Sequence, residues 1–183
     1  MKLLDLLCRN HEFKKRLEDS RQRLYRVAYS WCHDPALADD LAQEAVAKAL
    51  KSSSQLRDPA ALDTWLFSIL TNCWRDHFRR NRETVDIDDI PFVHEVTPED
   101  EHGRHEVVSR VRNAVGTLPL GQRQVVTLVD LEGFSYIEVA GILEIPVGTV
   151  MSRLCRARRA LKERLLDAEA SGQSEHRRIR RVK

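Results

Sequence analysis

The side chains of this chain best suited to recognition chemistry are its arginines. Arg153, Arg156, Arg158 and Arg159 recur at helical spacing near the C-terminus, and a helix loaded in this way can meet phosphates and base edges in a DNA major groove. A second set lies upstream: Asn72, Arg75, Asp76, Arg79 and Arg80 share the polar side of one segment and interleave with Trp74 and Phe78. Basic residues beside rings and an amide suit single-stranded or melting DNA, where bases stack and arginines hold phosphates. The plainer alternative is an amphipathic helix with Trp65 and Phe78 in its core, leaving Trp74 open to either role. A third set, Asp39, Asp40, Gln43 and Glu44, clusters at helical spacing. It reads as a solvated acidic face or as a dock for another protein.

No constellation for catalysis accompanies these sets. There is no nucleophile triad, phosphate-binding glycine loop or H-E-x-x-H pair, so the chain is expected to be no enzyme and to need no cofactor. Cys8, Cys32, Cys73 and Cys155 are scattered without a C-x-x-C pair. Cys8 with His11, or Cys32 with His33, lacks the matching second pair of a zinc site, so no metal is expected. No apolar run approaches the length of a membrane span, and Asp5 interrupts the N-terminal apolar stretch too early for a secretory signal. The expected location is the cytoplasm, with no membrane insertion.

The net charge of +2 hides a segregation. From Thr149 to Lys183 there are 11 Lys/Arg against 4 Asp/Glu, and from Glu83 to Glu106 there are 9 Asp/Glu against Arg104 alone. A basic end that favours phosphates and an acidic middle that avoids them imply different partners.

The elements that must position these sets are helices. Seven glycines and six prolines among 183 residues, with 42% hydrophobic content, favour an all-α chain of two small helical domains. A first helix from about Phe13 places Leu17, Leu24, Val27, Ala28 and Trp31 on one face. Asp34-Pro35 and Asp58-Pro59 read as N-cap-then-proline helix starts. The second helix therefore runs from about Pro35 to Lys51. The third runs from about Pro59 or Leu62 to Arg82, burying Leu62, Leu66, Ile69 and Cys73, with Trp65 and Leu70 flanking. Pro91, Pro98 and Gly103 among carboxylates mark residues 83–105 as a flexible acidic linker.

Further helices run to about Thr117 and to about Leu131, broken at Leu118-Pro119-Leu120-Gly121. Ser135 and Glu138 then form an S-x-x-E capping box, with Val139, Ala140, Ile142 and Leu143 as an apolar face. Pro146 forces a break before the chain restarts at about Gly148–Thr149, which makes a helix-turn-helix. The end, SGQSEHRRIRRVK, is expected to fray. The domains expected are 10–82 and 106–167, with a basic tail at 168–183.

Together these blocks resemble an extracytoplasmic-function (ECF) sigma factor of bacterial RNA polymerase. The resemblance rests on DDLAQEAVAKAL, DTWLFSILTNCWRDHFRR and LPLGQRQVVTLVDLEGFSYIEVAGILEIPVGTVMSRLCRARRALKERL, in the family's order. It implies that the chain binds core polymerase and directs promoter recognition, melting and initiation. It also implies that Asp39, Asp40, Gln43 and Glu44 dock on the clamp helices of the β′ subunit. Asn72, Arg75, Asp76, Arg79 and Arg80 would serve the −10 element, where one residue captures a flipped base. Thr149, Ser152, Arg153, Arg156 and Arg159 would serve the −35 element. Further implied partners are promoter DNA, the polymerase β flap and an anti-sigma factor, with no small-molecule substrate.

Three positions depart from the family pattern. Met151 stands where Lys or Arg is common, Cys155 where a larger or polar residue is common, and Glu144 where many members carry glycine. A positive φ at Glu144 would cost roughly 1 kcal/mol. On the residues alone, a dimeric helix-turn-helix regulator and a module that sequesters another factor remain alternatives. The first lacks an evident sensor or dimerisation domain, and the intact arginines argue against the second.

Overall fold

In the computed structural model, the backbone is described for residues 2–56, 58–81 and 104–179, and side chains for 13–56, 58–80 and 108–166. Every regular element among the described residues is helical: α1 (Lys2–Cys32), α2 (Pro35–Lys51), α3 (Leu62–Asn81), α4 (Arg104–Gly116), α5 (Leu120–Val126), α6 (Tyr136–Leu143) and α7 (Val147–Ile179), with short 3-10 and π turns between some of them. The acidic segment expected as a linker lies outside the described residues except for its last two positions, which open α4.

Local signals set most of the boundaries. Asp34 accepts hydrogen bonds from the backbone N–H groups of Ala36 and Leu37, and Pro35 occupies the first turn of α2. Asp58 caps a 3-10 turn over Pro59–Ala61 that leads into α3. The α1–α2 corner is cut by His33 in the left-handed region at φ 54°. Two ends differ from expectation. α1 starts at Lys2 instead of near Phe13, and α7 continues through SGQSEHRRI instead of fraying. Neither stretch holds a proline, and the single Gly172 is too weak a breaker to end a helix.

The first lobe is a three-helix unit. Leu17, Leu24, Val27, Ala28 and Trp31 of α1 are all buried, as their spacing requires. They meet Ala38, Leu41, Ala42, Ala45 and Ala49 of α2, where the small side chains permit close approach. On α3 the buried stripe is rotated from the expected one: Leu70 is buried and Ile69 only half-buried, while Phe67 and Trp74 join Leu62, Leu66 and Cys73 inside. The rotation follows from α3 having two neighbours, α2 on one side and α6 on the other. Trp65, expected in the core, is half-buried at its edge. Trp74 is 3% exposed and packs edge-on against Trp31 with ring centroids 5.7 Å apart, so its ring belongs to the core.

The second lobe gathers Leu118, Val125, Val126, Leu128, Val139, Ile142, Leu143, Val150, Leu154 and Ala157. Between α5 and α6 the chain makes one π-helical turn, Thr127–Leu131, in which the Glu132 N–H reaches back to the Thr127 carbonyl at 3.1 Å. The two lobes are packed on each other and share one continuous hydrophobic core. Phe67 of α3 meets Phe134 edge-on at 5.0 Å across the seam. A Cβ on Gly116 would fall 2.7 Å from His33 Nε2, so glycine lets α4 end tightly against the α1–α2 corner.

Candidate nucleic-acid interface

The helix-turn-helix is built as its sequence predicts. Ser135 Oγ accepts the Glu138 N–H at 3.3 Å, and the Glu138 carboxylate accepts the Ser135 N–H at 2.8 Å. The Ser135 hydroxyl beside the Glu138 carboxyl first, and the Ser135 N–H second, hold that carboxyl below its ordinary range. Glu144 ends α6 in the left-handed conformation at φ 51°. Its strain of roughly 1 kcal/mol is offset by the bonds that this conformation lets the Glu144 and Ile145 N–H groups make to the last carbonyls of α6. The Pro146 carbonyl then accepts the Thr149 and Val150 N–H groups and starts α7, one residue before the expected restart.

On the first turns of α7, Ser152, Arg156 and Arg159 are exposed along one side, with Met151 and Cys155 beside them. Arg156 donates back to Ser152, through Nε to its carbonyl at 3.2 Å. Thr149 is half-buried, and so is Arg153, whose guanidinium lies over Gly121. The fourth arginine of the cluster is diverted. Arg158 donates two bonds to Asp130, at 2.6 and 3.1 Å, which raise its already high pKa. Arg158 thus braces α7 against the π turn, while Arg156 and Arg159 keep their faces to solvent.

On α3, Asn72, Arg79 and Arg80 are exposed, Arg79 by 80% of its side chain. Asp76 accepts from Arg79 at 2.9 Å and lies 3.6 Å from Lys48, which also pairs with Glu44 at 2.9 Å. Lys48 therefore joins the acidic stripe of α2 to the polar face of α3. Arg75 alone of this set is engaged across the seam: it donates to Glu144 Oε2 at 2.6 Å and to the Leu143 carbonyl in the turn of the helix-turn-helix.

The acidic stripe of α2 is also ordered. Asp39 accepts from Arg21 of α1 at 2.9 Å and from Gln43 at 2.5 Å, while Asp40 and Gln43 point outward. A shallow groove beside it is lined by Arg21, Gln43, Val46, Ala47 and Leu50. It sets an apolar edge next to the carboxylates, the mixture expected of a helix dock.

Several residues that organise these faces gave no functional signal in the sequence. Arg123 is 4% exposed and donates to the carbonyls of Trp31 at 2.7 Å and Leu118 at 2.9 Å, and to that of Gly116. Its burial pulls the guanidinium pKa down to about 10. Arg23 bridges Asp63 and Glu132, each at 2.9 Å; burial opposes its charge, but the two carboxylates outweigh it and raise the pKa. An arginine that serves buried carbonyls looks, in sequence, the same as one that serves DNA.

Among the described residues, no group of His, Cys, Asp or Glu side chains converges as metal ligands would. Cys32 and Cys73 are buried, and burial pushes both thiols up. Cys8 and His11 lie outside the described side chains. No helix among the described residues is long and apolar enough to cross a membrane.

The family model of sigma-70 region 2 matches residues 17–84, and that of sigma-70 region 4 matches residues 109–161. The RNA polymerase sigma-H factor of Pseudomonas aeruginosa is 36% identical over 157 residues, covering 79% of this chain and 81% of that protein. The ECF RNA polymerase sigma factor EcfG of Rhodopseudomonas palustris is 36% identical over 124 residues, covering 68% of each. Among solved structures, the sigma factor RpoE of Bartonella quintana, in complex with the anti-sigma factor NepR, is 29% identical. It aligns over 84% of this chain and 96% of its own with a TM-score of 0.67. CnrH, solved with the cytosolic domain of CnrY, is 27% identical over 85% of this chain and 88% of its own, with a TM-score of 0.60.

Proposed function

This chain belongs to the ECF sigma factors of RNA polymerase, and from that premise we propose a division of labour among its residues. The protein binds core polymerase and directs promoter recognition and transcription initiation. The observation that carries the finer reading is the exposed side of α7, where Ser152, Arg156 and Arg159 stand clear just after a capped helix-turn-helix.

In this reading α7 enters the major groove of the −35 element. Arg156 and Arg159 reach base edges or phosphates, and Thr149, Ser152 and Arg153 hold the helix start to the backbone. Arg158, fixed on Asp130, keeps α7 braced against the π turn and reads nothing. Asn72, Arg75, Asp76, Arg79 and Arg80 act on the −10 element, the arginines on phosphates and one polar side chain on the flipped base. Because Trp74 sits in the core, stacking of that base falls to exposed groups of α3. Asp39, Asp40, Gln43 and Glu44, with the apolar edge at Val46 and Leu50, dock on the β′ clamp helices, and the second lobe docks on the β flap.

The protein performs no bond-making step. Melting draws on binding energy shared by polymerase, sigma factor and DNA, and the work is done in the cytoplasm. An anti-sigma factor is a further partner, on the analogy of RpoE, which was solved with one bound. The acidic segment 83–105 threads toward the polymerase active centre.

Reconstituted transcription on fragmented genomic DNA tests the reading. With core polymerase and this chain, mapped starts share two upstream elements that core alone does not use. Starts that lack a common upstream element, or none above core alone, would overturn it.

A further inference from the structure

We infer that Met151, with Val147 and Cys155 on either side of it, is a specificity-determining residue that reads the 5-methyl group of a pyrimidine in the −35 element. The inference rests on the reading of α7 as the helix that enters the major groove of that element, and it names the base feature selected there.

Val147, Met151 and Cys155 follow one another at four-residue intervals and so lie in one row along α7. All three are exposed, Met151 by 53%. Between Val147 and Arg164 every other exposed side chain is charged or carries a hydroxyl. Packing does not call on the row, because Val150, Leu154 and Ala157 supply the buried side of these turns. A single exposed methionine is ordinary on a protein surface. An apolar row of three on the first turns of a base-reading helix needs a matching apolar surface.

The neighbours of the row decide what that surface is. Ser152 and Arg156 form the adjacent row, joined by the bond from Arg156 Nε to the Ser152 carbonyl at 3.2 Å. Arg159 continues the apolar row itself, one turn beyond Cys155. An apolar protein groove that covered the row would also have to desolvate both guanidinium groups, at a cost. A DNA major groove offers the arginines phosphates and guanine edges, and it carries one apolar group, the methyl on C5 of thymine. A methylated cytosine presents the same methyl at the same ring position. The chemistry recognised is therefore a 5-methylpyrimidine, with thymine and 5-methylcytosine as its two sources.

Met151 is the member of the row best fitted to the task. It stands where Lys or Arg is common in the family, and its thioether has no hydrogen to donate to a purine edge. Contact thus replaces hydrogen bonding at this position. Its unbranched side chain has three rotatable bonds and adapts to the group it meets. Cys155 lies about 6 Å further along the helix axis, nearly two base-pair steps of about 3.4 Å, and its short side chain leaves room beside Met151 for a methyl group.

Deoxyuridine differs from thymidine only in lacking the 5-methyl, which makes the test direct. Holoenzyme carrying the full chain is titrated at one salt concentration with a promoter duplex taken from the mapped starts. Each thymine of the −35 element, on either strand, is replaced in turn by deoxyuridine, and each cytosine by 5-methylcytosine. With the parent chain, at least one deoxyuridine should weaken binding about fourfold, the scale of one buried methyl group, or one 5-methylcytosine should tighten it by that factor. The first result identifies thymine as the source, the second methylated cytosine. Met151→Ala, which puts a strong helix former at an exposed position, should abolish that response, whereas Arg156→Ala should retain it. Equal binding of all substituted duplexes by the parent, or a methyl response undiminished in Met151→Ala, would overturn the inference. Loss of core polymerase binding by Met151→Ala would assign the row to a protein partner and overturn it as well. A holoenzyme that leaves the −35 element unprotected in footprints would sink the reading of α7 and this inference with it; protection without any methyl response sinks the inference alone.

Discussion

Arg123, on α5, donates to the carbonyl of Trp31 at the end of α1, 92 residues earlier in the chain, across a distance of 2.7 Å. The same guanidinium also serves Gly116 and Leu118, so one side chain satisfies backbone from both lobes. Arg123→Leu would keep some of its packing and leave these carbonyls without their donor. A loss of about 2–3 kcal/mol is expected, read as a lower urea midpoint in equilibrium unfolding. A midpoint unchanged from the parent would show that water replaces the guanidinium without penalty.

Two neighbouring arginines on α7 should behave differently. Arg156→Ala is expected to cost about 1–3 kcal/mol in binding a −35 duplex, through the base contact proposed for it. Arg158→Ala should leave base preference unchanged and lower thermal stability, because its partner is Asp130. Asp130→Ala should reproduce the stability loss of Arg158→Ala, and the double variant should lose little more than either one. Duplex titrations at one fixed salt concentration, paired with melting curves, separate the two roles; equal loss of base preference in both variants would contradict the division.

On α2, Asp40 is the cleanest test of polymerase docking. It is exposed, whereas Asp39 is tied to Arg21 and Gln43, and Glu44 to Lys48. Asp40→Lys should weaken co-purification with core polymerase while its melting temperature stays within a degree or two, the usual range for surface changes. Glu44→Lys should weaken both, since it also repels Lys48. Wild-type yield of the Asp40→Lys holoenzyme would move the dock elsewhere.

The capping box of α6 predicts a pH dependence with a definite sign. The folded-state pKa of Glu138 lies below its ordinary value of 4.5. Its contribution is therefore fully present above that value and lost as pH falls through the lower folded one. The melting temperature should drop more steeply below about pH 4.5 in the parent than in Glu138→Gln, whose amide keeps a neutral version of the box. Ser135→Ala should cost about 1 kcal/mol at neutral pH. Identical acid limbs in parent and Glu138→Gln would leave the acid response to other carboxylates.

Much of the fold was legible because its signals are short-range. Asp34-Pro35, Asp58-Pro59 and Ser135-x-x-Glu138 act through bonds spanning two or three residues, and each begins an element where expected. The apolar face of α1 followed from period alone. The stripe of α3 did not, because its orientation depends on α6, which lies more than fifty residues away in sequence. Trp74 went to the core for the same reason: Trp31 was waiting for it.

The sequence by itself determined the helices, their caps, the helix-turn-helix and the family, since periodicity, capping and motif spacing are local properties that tertiary contacts need not supply. Only the tertiary structure decided what each arginine does. Arg123 is buried on carbonyls, Arg158 is clamped by Asp130, Arg75 is drawn to Glu144, and Arg156 and Arg159 are left to solvent. A guanidinium has long reach and pairs with whichever acceptor packing brings near, and that acceptor is set by how the two lobes meet.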